Sequence, residues 1–247
     1  MRLAVLADIH GNRLALDAVL ADLDRRGGAD RLVDLGDRAS GPLWPAETME
    51  RLAALAAVAV RGNHDRAVAA ASTEGMIHSD RFAYEALSPD RRAALGALPI
   101  TARPVPGVLA CHGTPAHDAS YLVEEVRDGR LARGVPEAIA RRLGPVEGVQ
   151  VVLCGHSHRA DLVRLPSGIL VLNPGSVGCP AYEDPTEPAH VSQAGAPQAR
   201  YALLDLGDEP AAAFLAVPYD HEAAARRAEA NGRPDWAHAL RSGFMPR

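Results

Sequence analysis

The sequence predicts an α/β fold with a parallel sheet in its first half and hairpins in its second half. Over residues 1–65, short apolar runs alternate with amphipathic stretches in the order strand, helix, strand, helix, strand. This order requires parallel strands joined by right-handed crossovers. After residue 160 the connections become tight and contain turn sequences such as Pro166-Ser167-Gly168. We expect a single domain over residues 1–247.

The first half supplies three strands and two helices. Asn12 is a natural N-cap for the first helix, and Gly27-Gly28 provides its end. Leu16, Val19 and Leu20 share one face of that helix, as a helix packed on a sheet requires. We expect strands at residues 3–7, 31–35 and 57–60, and helices at residues 13–25 and 45–54.

The second half begins with a helical stretch over residues 66–98, and the segment 66–106 is expected to be an insertion or cap. A long surface loop is expected over residues 180–199, which are rich in Pro, Ala and Glu. Further strands are expected at residues 108–111, 150–154, 161–165, 169–172, 201–206 and 211–217. Helices are expected near residues 119–127 and 135–143, and two C-terminal helices near 220–230 and 234–241 lie within residues 219–247.

Composition excludes several classes of function. The 26 basic residues are all arginine, so a P-loop lysine and a Schiff-base lysine are absent. The net charge is −5, which offers no basic face for nucleic acid or an anionic membrane. No apolar run approaches the roughly 18–20 residues of a membrane span. Three scattered cysteines and an N-terminus without signal-peptide features favour a cytoplasmic location.

Polar side chains follow five successive predicted strands. They comprise three oxygen donors, four imidazoles and one further histidine, more donors than a single structural zinc ion takes. The five strand ends read Asp8-Ile9-His10, Gly36-Asp37, Gly62-Asn63-His64-Asp65, His112-Gly113 and Gly155-His156-Ser157-His158. Shared between two ions, these ligands fit a dinuclear site without thiolate. Mn²⁺ is expected first, with Fe, Ni²⁺, Zn²⁺ or Co²⁺ as alternatives.

Two such ions, roughly 3.5–4 Å apart, can stabilise the attacking and the leaving oxygen of an in-line displacement. They also lower the pKa of a bound water from 15.7 toward about 7. This is the chemistry of phosphoester hydrolysis. The strand ends therefore predict a metal-dependent phosphoesterase rather than a structural metal site.

The order of these five motifs resembles that of the calcineurin-like metallophosphoesterase superfamily, over residues 1 to about 217. The loop Asn173-Pro174-Gly175-Ser176 is similar to that of its small bacterial phosphodiesterase branch. The resemblance implies a four-layer αββα sandwich with two mixed β-sheets. It also implies that the protein uses two metal ions and acts on a phosphoester.

The resemblance implies a role for each motif residue. One metal would be bound by Asp8, His10, Asp37 and His158, and the second by Asp37, Asn63, His112 and His156. His64 would contact the phosphate and protonate the leaving oxygen as general acid. Asn12 and Arg38 are candidate substrate contacts, although Asn12 is better explained as an N-cap alone, and Arg38 as a solvated residue or one paired with an acid.

One departure from the superfamily concerns the partner of His64. The protein Ser/Thr phosphatases of the superfamily carry Gly-Asp-x-x-Asp-Arg-Gly, with the second aspartate paired to the catalytic histidine. Ser40 stands at that position here. A protein-phosphatase activity is therefore not expected, and Asp65 becomes a candidate partner of His64. His190 has no ligand-like setting and is expected at the surface.

The resulting hypothesis is hydrolysis of a small phosphodiester by direct attack of a hydroxide held at the two metals. The alternatives are a phosphomonoesterase acting on a small molecule or nucleotide, and a non-catalytic interaction scaffold on the same fold. The partner expected is a small phosphoester substrate, with no membrane association and no stable nucleic-acid complex. The sequence leaves the oligomeric state, the native metals and the physiological substrate open.

Overall fold

A computed structural model describes residues 1–246 and contains fourteen strands and eight helices within them. The strands are β1 (Arg2–Leu6), β2 (Arg31–Asp34), β3 (Ala57–Ala59), β4 (Thr101–Ala102), β5 (Val108–Cys111), β6 (Glu124–Arg127), β7 (Arg130–Arg133), β8 (Val151–Leu153), β9 (Ala160–Arg164), β10 (Leu170–Pro174), β11 (Ala181–Asp184), β12 (His190–Gln193), β13 (Ala199–Asp205) and β14 (Ala211–Val217). The helices are α1 (Arg13–Arg25), α2 (Pro45–Ala53), α3 (Asn63–Val68), α4 (His78–Ala86), α5 (Pro89–Gly96), α6 (Pro136–Leu143), α7 (His221–Ala230) and α8 (Pro234–Ser242).

The first sheet has the strand order β14-β13-β1-β2-β3. Its strands β1, β2 and β3 are parallel, as the alternation of strands and helices predicts, and β13 and β14 add antiparallel strands beside β1. In register, Leu3 lies opposite Arg31 and Leu6 opposite Asp34. The carboxyl ends of the three parallel strands therefore lie side by side along one edge of the sheet.

The second sheet, β4-β5-β8-β10-β9, packs face to face on the first. Side chains alternate along β1, so that Leu3 and Val5 contact the second sheet while Ala4 and Leu6 pack with α1. The outer face of the second sheet is covered by α6 through Ile139. The layers are thus helices, sheet, sheet and helix, which confirms the predicted α/β sandwich with two mixed sheets.

A third sheet, β11-β12-β7-β6, was not predicted. The expected helix near 119–127 is wrong, because residues 124–127 form β6, paired with β7 across the turn Asp128-Gly129. Both turn residues have a positive φ, 51° and 69°, as a tight hairpin turn requires. The expected loop over 180–199 is also wrong in part, because it contains β11 and β12.

The segment 66–106 and the C-terminal helices both pack against the rest of the domain. Ala83 and Leu95 of α4 and α5 belong to the same core cluster as Leu6. Helices α7 and α8 pack on each other and on Leu43. Within residues 1–246, no helix combines the length and the apolar character that crossing a bilayer requires.

The Glu124 side chain is buried in β6, and its Oε1 atom has no hydrogen-bond partner. Burial raises the pKa of Glu124 from 4.5 to about 7. The folded state therefore holds a proton that the unfolded state releases, and this contribution to stability is lost as pH rises through about 7. Glu124→Gln is expected to raise the free energy of unfolding at pH 8 by about 1–3 kcal/mol, with a smaller change at pH 5.

Urea unfolding at pH 5 and pH 8 measures this difference. Glu125→Gln is the matched control, because its carboxylate is only partly buried and pairs with Arg127. A Glu124→Gln variant with the same stability gain at both pH values would contradict the assignment of a raised pKa.

Candidate metal centre

The predicted ligands converge where the carboxyl ends of the two sheets meet. Asp8 and Asp37 follow β1 and β2 of the first sheet, while His112 and His156 follow β5 and β8 of the second. Asn63 and His64 open α3 directly after β3. The carboxyl ends of parallel strands are the usual location of sites in open α/β sheets. The five strand ends that the sequence singled out thus form one site.

The backbone of this site is unusual at most of its ligand positions. A positive φ is rare for residues other than glycine and costs of order 1–3 kcal/mol each. Five of the seven predicted ligands have it: Asp8 (56°), His10 (51°), Asp37 (56°), His156 (69°) and His158 (59°). The surrounding hydrogen bonds hold these conformations, for example Asp8 N–H to the Gly36 carbonyl (3.0 Å) and His10 N–H to the Asp37 carbonyl (2.9 Å).

Two glycines allow the strand ends to approach each other. A Cβ on Gly36 would collide with the backbone of Gly62, and a Cβ on Gly62 would collide with the Asp37 carboxylate. Gly36 also has a φ of +95°. Side chains at these two positions would separate the loop that carries Asp37 from the helix that carries Asn63 and His64.

The donor atoms form two groups. Within each group, one donor atom per residue lies within 4.8 Å of the others. One group is Asp8, His10 and His158, and the other is Asp37, His112 and His156. The Asn63 Oδ1 atom joins the second group at 3.2 Å from His112 Nε2. Asp37 Oδ2 lies 3.1 Å from His112 Nε2 and 4.0 Å from His10 Nε2, so it faces both groups.

Backbone carbonyls orient three of the imidazoles. The Nδ1 atoms of His10, His112 and His158 each lie 2.7 Å from a carbonyl oxygen, of Ser40, Leu35 and Cys179 respectively. An Nδ1–H that donates to a carbonyl directs the Nε2 atom into the site. Burial lowers the pKa of His10 to about 4 and that of His156 to about 3. Both rings are therefore neutral, the form that binds metals.

Several atoms of the site require positive charge. The Asp8 Oδ2 atom is buried without a hydrogen-bond partner, and burial raises the pKa of Asp8 to about 8. The Nε2 atoms of His10 and His158 lie 3.1 Å apart, although the Nδ1 of each already faces a carbonyl. Two lone pairs at this distance repel unless a cation lies beside them. These residues therefore fit a pair of divalent cations, one at each group.

His64 lies beside these groups, with its ring centroid 5.6 Å from that of His10. Its Nδ1 atom pairs with Asp80 Oδ1 at 2.8 Å, and the Ser40 hydroxyl donates to the same Asp80 oxygen at 2.6 Å. The candidate partner Asp65 is wrong. Its carboxylate instead accepts the backbone N–H groups of Asp37 and Gly62, at 2.9 Å each.

The structure shows which groups of the protein the two candidate substrate contacts, Asn12 and Arg38, bind. Asn12 is fully buried and caps α1 through Ala15 N–H, while its amide donates to the Gly178 carbonyl at 3.0 Å. The Arg38 guanidinium pairs with Asp34 at 2.7 Å. Asn12 is thus held within the scaffold by hydrogen bonds, and Arg38 is held by its ion pair with Asp34.

A cavity of about 630 Å³ opens over His10, His64 and His156. The sequence did not predict most of its outer lining, which comes from four separate segments. These residues are Ile77, Tyr121, Tyr182, Arg233, Asp235 and Trp236.

Tyr121 and His190 form a hydrogen-bond network behind His156. The Tyr121 ring stacks on His156 at 4.6 Å, and its hydroxyl lies 2.8 Å from His190 Nε2 and 2.7 Å from the Tyr182 hydroxyl. The expectation that His190 is a surface residue is wrong, because the third sheet buries it.

Comparison with protein families identifies the family to which this chain belongs. The sequence model of the calcineurin-like phosphoesterase superfamily domain matches residues 1–206, which include every candidate ligand and His64. The chain belongs to the calcineurin-like phosphoesterase superfamily. The resemblance of the five motifs is confirmed, and membership supports a metal-dependent hydrolase of phosphoesters.

The chain is similar to other proteins over nearly its whole length. The uncharacterized protein MJ0912 of Methanocaldococcus jannaschii is 27% identical over 95% of this chain and 94% of its own length. The crystal structure of a metallophosphoesterase from Sphaerobacter thermophilus has a TM-score of 0.76 at 23% identity, covering 99% of this chain and all of its own. Hypothetical protein PH1004 of Pyrococcus horikoshii has a TM-score of 0.74 at 22% identity, covering 99% of each chain.

Proposed function

We propose that this calcineurin-like phosphoesterase hydrolyses a small phosphodiester at a dinuclear metal centre. The observation that carries the proposal is Asp37, whose carboxylate faces both donor groups. One metal would be held by Asp8, His10, Asp37 and His158, and the other by Asp37, Asn63, His112 and His156. Nitrogen and oxygen donors without thiolate favour Mn²⁺, with Fe, Ni²⁺, Zn²⁺ or Co²⁺ as alternatives. Such ions supply Lewis acidity toward a phosphoryl oxygen and toward water.

His64 is proposed to protonate the leaving oxygen. Its Nδ1 atom is engaged by Asp80, which leaves Nε2 free to carry the transferred proton. Burial opposes the charged ring, but the Asp37 and Asp80 carboxylates outweigh it and raise the pKa of His64 to about 9. The imidazole is therefore protonated at neutral pH, as a general acid must be at the start of the reaction.

The proposed substrate is a small diester, by resemblance of the Asn173-Pro174-Gly175-Ser176 loop to the phosphodiesterase branch. A cavity of about 630 Å³ has room for a substituent beside the phosphate. We propose a cytoplasmic enzyme, because Cys111, Cys154 and Cys179 are all buried and unpaired.

A substrate panel tests this proposal. Purified protein is stripped of metal, reloaded with Mn²⁺, Ni²⁺, Fe²⁺ or Mg²⁺, and assayed with linear diesters, cyclic nucleotides and monoesters. We expect two ions per chain and faster turnover of diesters than of monoesters with the same leaving group. Faster turnover of monoesters would indicate the phosphomonoesterase alternative. A protein that takes up no metal under any condition would be a non-catalytic scaffold.

Asp80→Asn is expected to lower kcat by about tenfold or more while leaving two metals bound, because it removes the carboxylate that orients His64. The same carboxylate raises the pKa of His64, so its removal lowers that pKa. The alkaline limb of the pH–rate profile is therefore expected to move to lower pH. Ser40→Ala is the milder companion variant, since it removes one hydrogen bond to Asp80 and no charge. An unmoved alkaline limb in Asp80→Asn would contradict the pairing.

A further inference from the structure

Trp236 lies outside the part of the chain that matches the superfamily, yet it lines the same cavity as the metal centre. The family match ends at residue 206, and Trp236 belongs to α8. Its ring centroid lies 5.9 Å from that of His10, with the two rings nearly perpendicular at 74°. The C-terminal helices thus place an indole ring next to the ring of His10, a candidate metal ligand.

An aliphatic and an aromatic side chain line the cavity together with Trp236. Ile77 lines the same cavity and is 55% exposed, so it presents an aliphatic side chain to this space. Tyr182 lines the cavity as well, with its ring 4.6 Å from that of His158. An aromatic and aliphatic lining beside a polar centre is typical of sites that bind a planar group next to an anionic one.

The charged side chains around Trp236 disfavour a second phosphate near the planar group. The Arg233 guanidinium donates to both oxygens of Asp235, at 2.8 and 2.5 Å, and to the Ser79 hydroxyl at 2.9 Å. These bonds use three of its five N–H donors, and the ion pair with Asp235 offsets its charge, while its Cζ atom lies 5.8 Å from the Trp236 ring centroid. Glu183 and Asp184 also line the cavity. This wall repels a further phosphate, while carboxylates accept hydrogen bonds from sugar hydroxyls and base amines.

We propose that Trp236 is a specificity-determining residue on which the base of a nucleoside monophosphate ester stacks, with the phosphate at the metal centre. This inference rests on the proposed function and names its substrate class. A nucleoside monophosphate joins a planar base to a single phosphate through a neutral, hydroxyl-bearing sugar. That arrangement matches an indole, a carboxylate-bearing wall and a cation-binding centre within one cavity.

Tryptophan fluorescence provides the first test, because the chain has two tryptophans. Trp44 packs against the C-terminal helices, so Trp44→Phe leaves Trp236 as the only indole. In this variant loaded with Zn²⁺, which has no unpaired electrons, we expect adenosine monophosphate to quench the fluorescence. Ribose 5-phosphate, which lacks the base, is expected to leave it unchanged. Equal responses to the two ligands would overturn the proposal.

Calorimetric affinities of the metal-loaded protein provide the second test. The wild-type chain is expected to bind adenosine monophosphate at least about tenfold more tightly than ribose 5-phosphate, the scale of base stacking on an aromatic ring. Trp236→Ala is expected to bring this ratio close to one, and Trp236→Phe, which keeps a ring, to restore part of it. A preference that survives Trp236→Ala overturns the proposal.

Failure of this inference and failure of the proposed function give different results. A chain that hydrolyses diesters but binds the two ligands equally keeps the function and loses the role of Trp236. A chain that hydrolyses no phosphoester with any metal, yet shows the Trp236-dependent preference, loses the function and keeps a nucleotide-binding site.

Discussion

His64→Ala is expected to lower kcat by about 10²–10⁴-fold while the protein still binds two metal ions. The His64 side chain lies beside both donor groups but is held by Asp80, not among the ligands. Its loss should therefore remove proton transfer without removing a metal. Steady-state kinetics and metal analysis of the same preparation measure the two quantities.

The expected loss of kcat depends on the leaving group of the substrate. Protonation matters most for a poor leaving group, so the loss should be large for an alkyl ester and small for a p-nitrophenyl ester. His117→Ala is the matched control, because His117 is an exposed loop histidine and lies five residues after His112. Full turnover of alkyl esters by His64→Ala would refute the general-acid role, and loss of a metal would make His64 a ligand.

Asp37→Asn is expected to have the largest effect on metal content. Its carboxylate faces His10 on one side and His112 on the other, so cations bound at the two groups would both lose a charged ligand. We expect metal affinity to fall by more than the roughly 10–100-fold typical of residues that only support a ligand. After dialysis the variant should retain one ion or none. Titration calorimetry with Mn²⁺ and elemental analysis both measure this.

Asp34→Asn is the matched control for Asp37→Asn. Asp34 is equally buried and lies three residues earlier, but it pairs with Arg38 instead of facing the histidines. Breaking a buried ion pair costs stability, so this variant should unfold at lower urea concentration and still bind two ions. If Asp37→Asn retains two tightly bound ions, Asp37 does not bridge the two sites.

The strand ends of the site were predictable because their signal is local. A short apolar run that stops at a glycine and a polar residue places that residue at the carboxyl end of a strand. The motifs around Asp8, Asp37 and His112 each carry this signal within a few residues. Parallel pairing then brings the ends together, as the sheets confirm.

The partner of His64 was not predictable in this way. Asp80 lies in the first turn of α4, sixteen residues from His64, and no motif surrounds it. The only signal was Ser40 at a position where related phosphatases carry aspartate. In the structure Ser40 donates to Asp80, so the missing carboxylate is supplied from another helix.

The third sheet and the outer cavity were not predicted, for two different reasons. Asp128-Gly129 is a tight-turn sequence that identifies the β6–β7 hairpin, and reading the region as a helix overlooked it. Trp236 carries no sequence signal for a site, since an aromatic residue in a C-terminal helix resembles any core residue. Its position depends on how α8 docks beside β11, which is a long-range contact.

Five of the candidate ligands have a left-handed backbone, so the arrangement of their donor atoms depends on the main chain as well as on the side chains. A substitution at one of these positions keeps the backbone conformation only if the new residue tolerates a positive φ. Asparagine and glycine tolerate it best. Asparagine is therefore the replacement that we expect to change the donor at Asp8, Asp37 or His156 with the smallest change in backbone conformation.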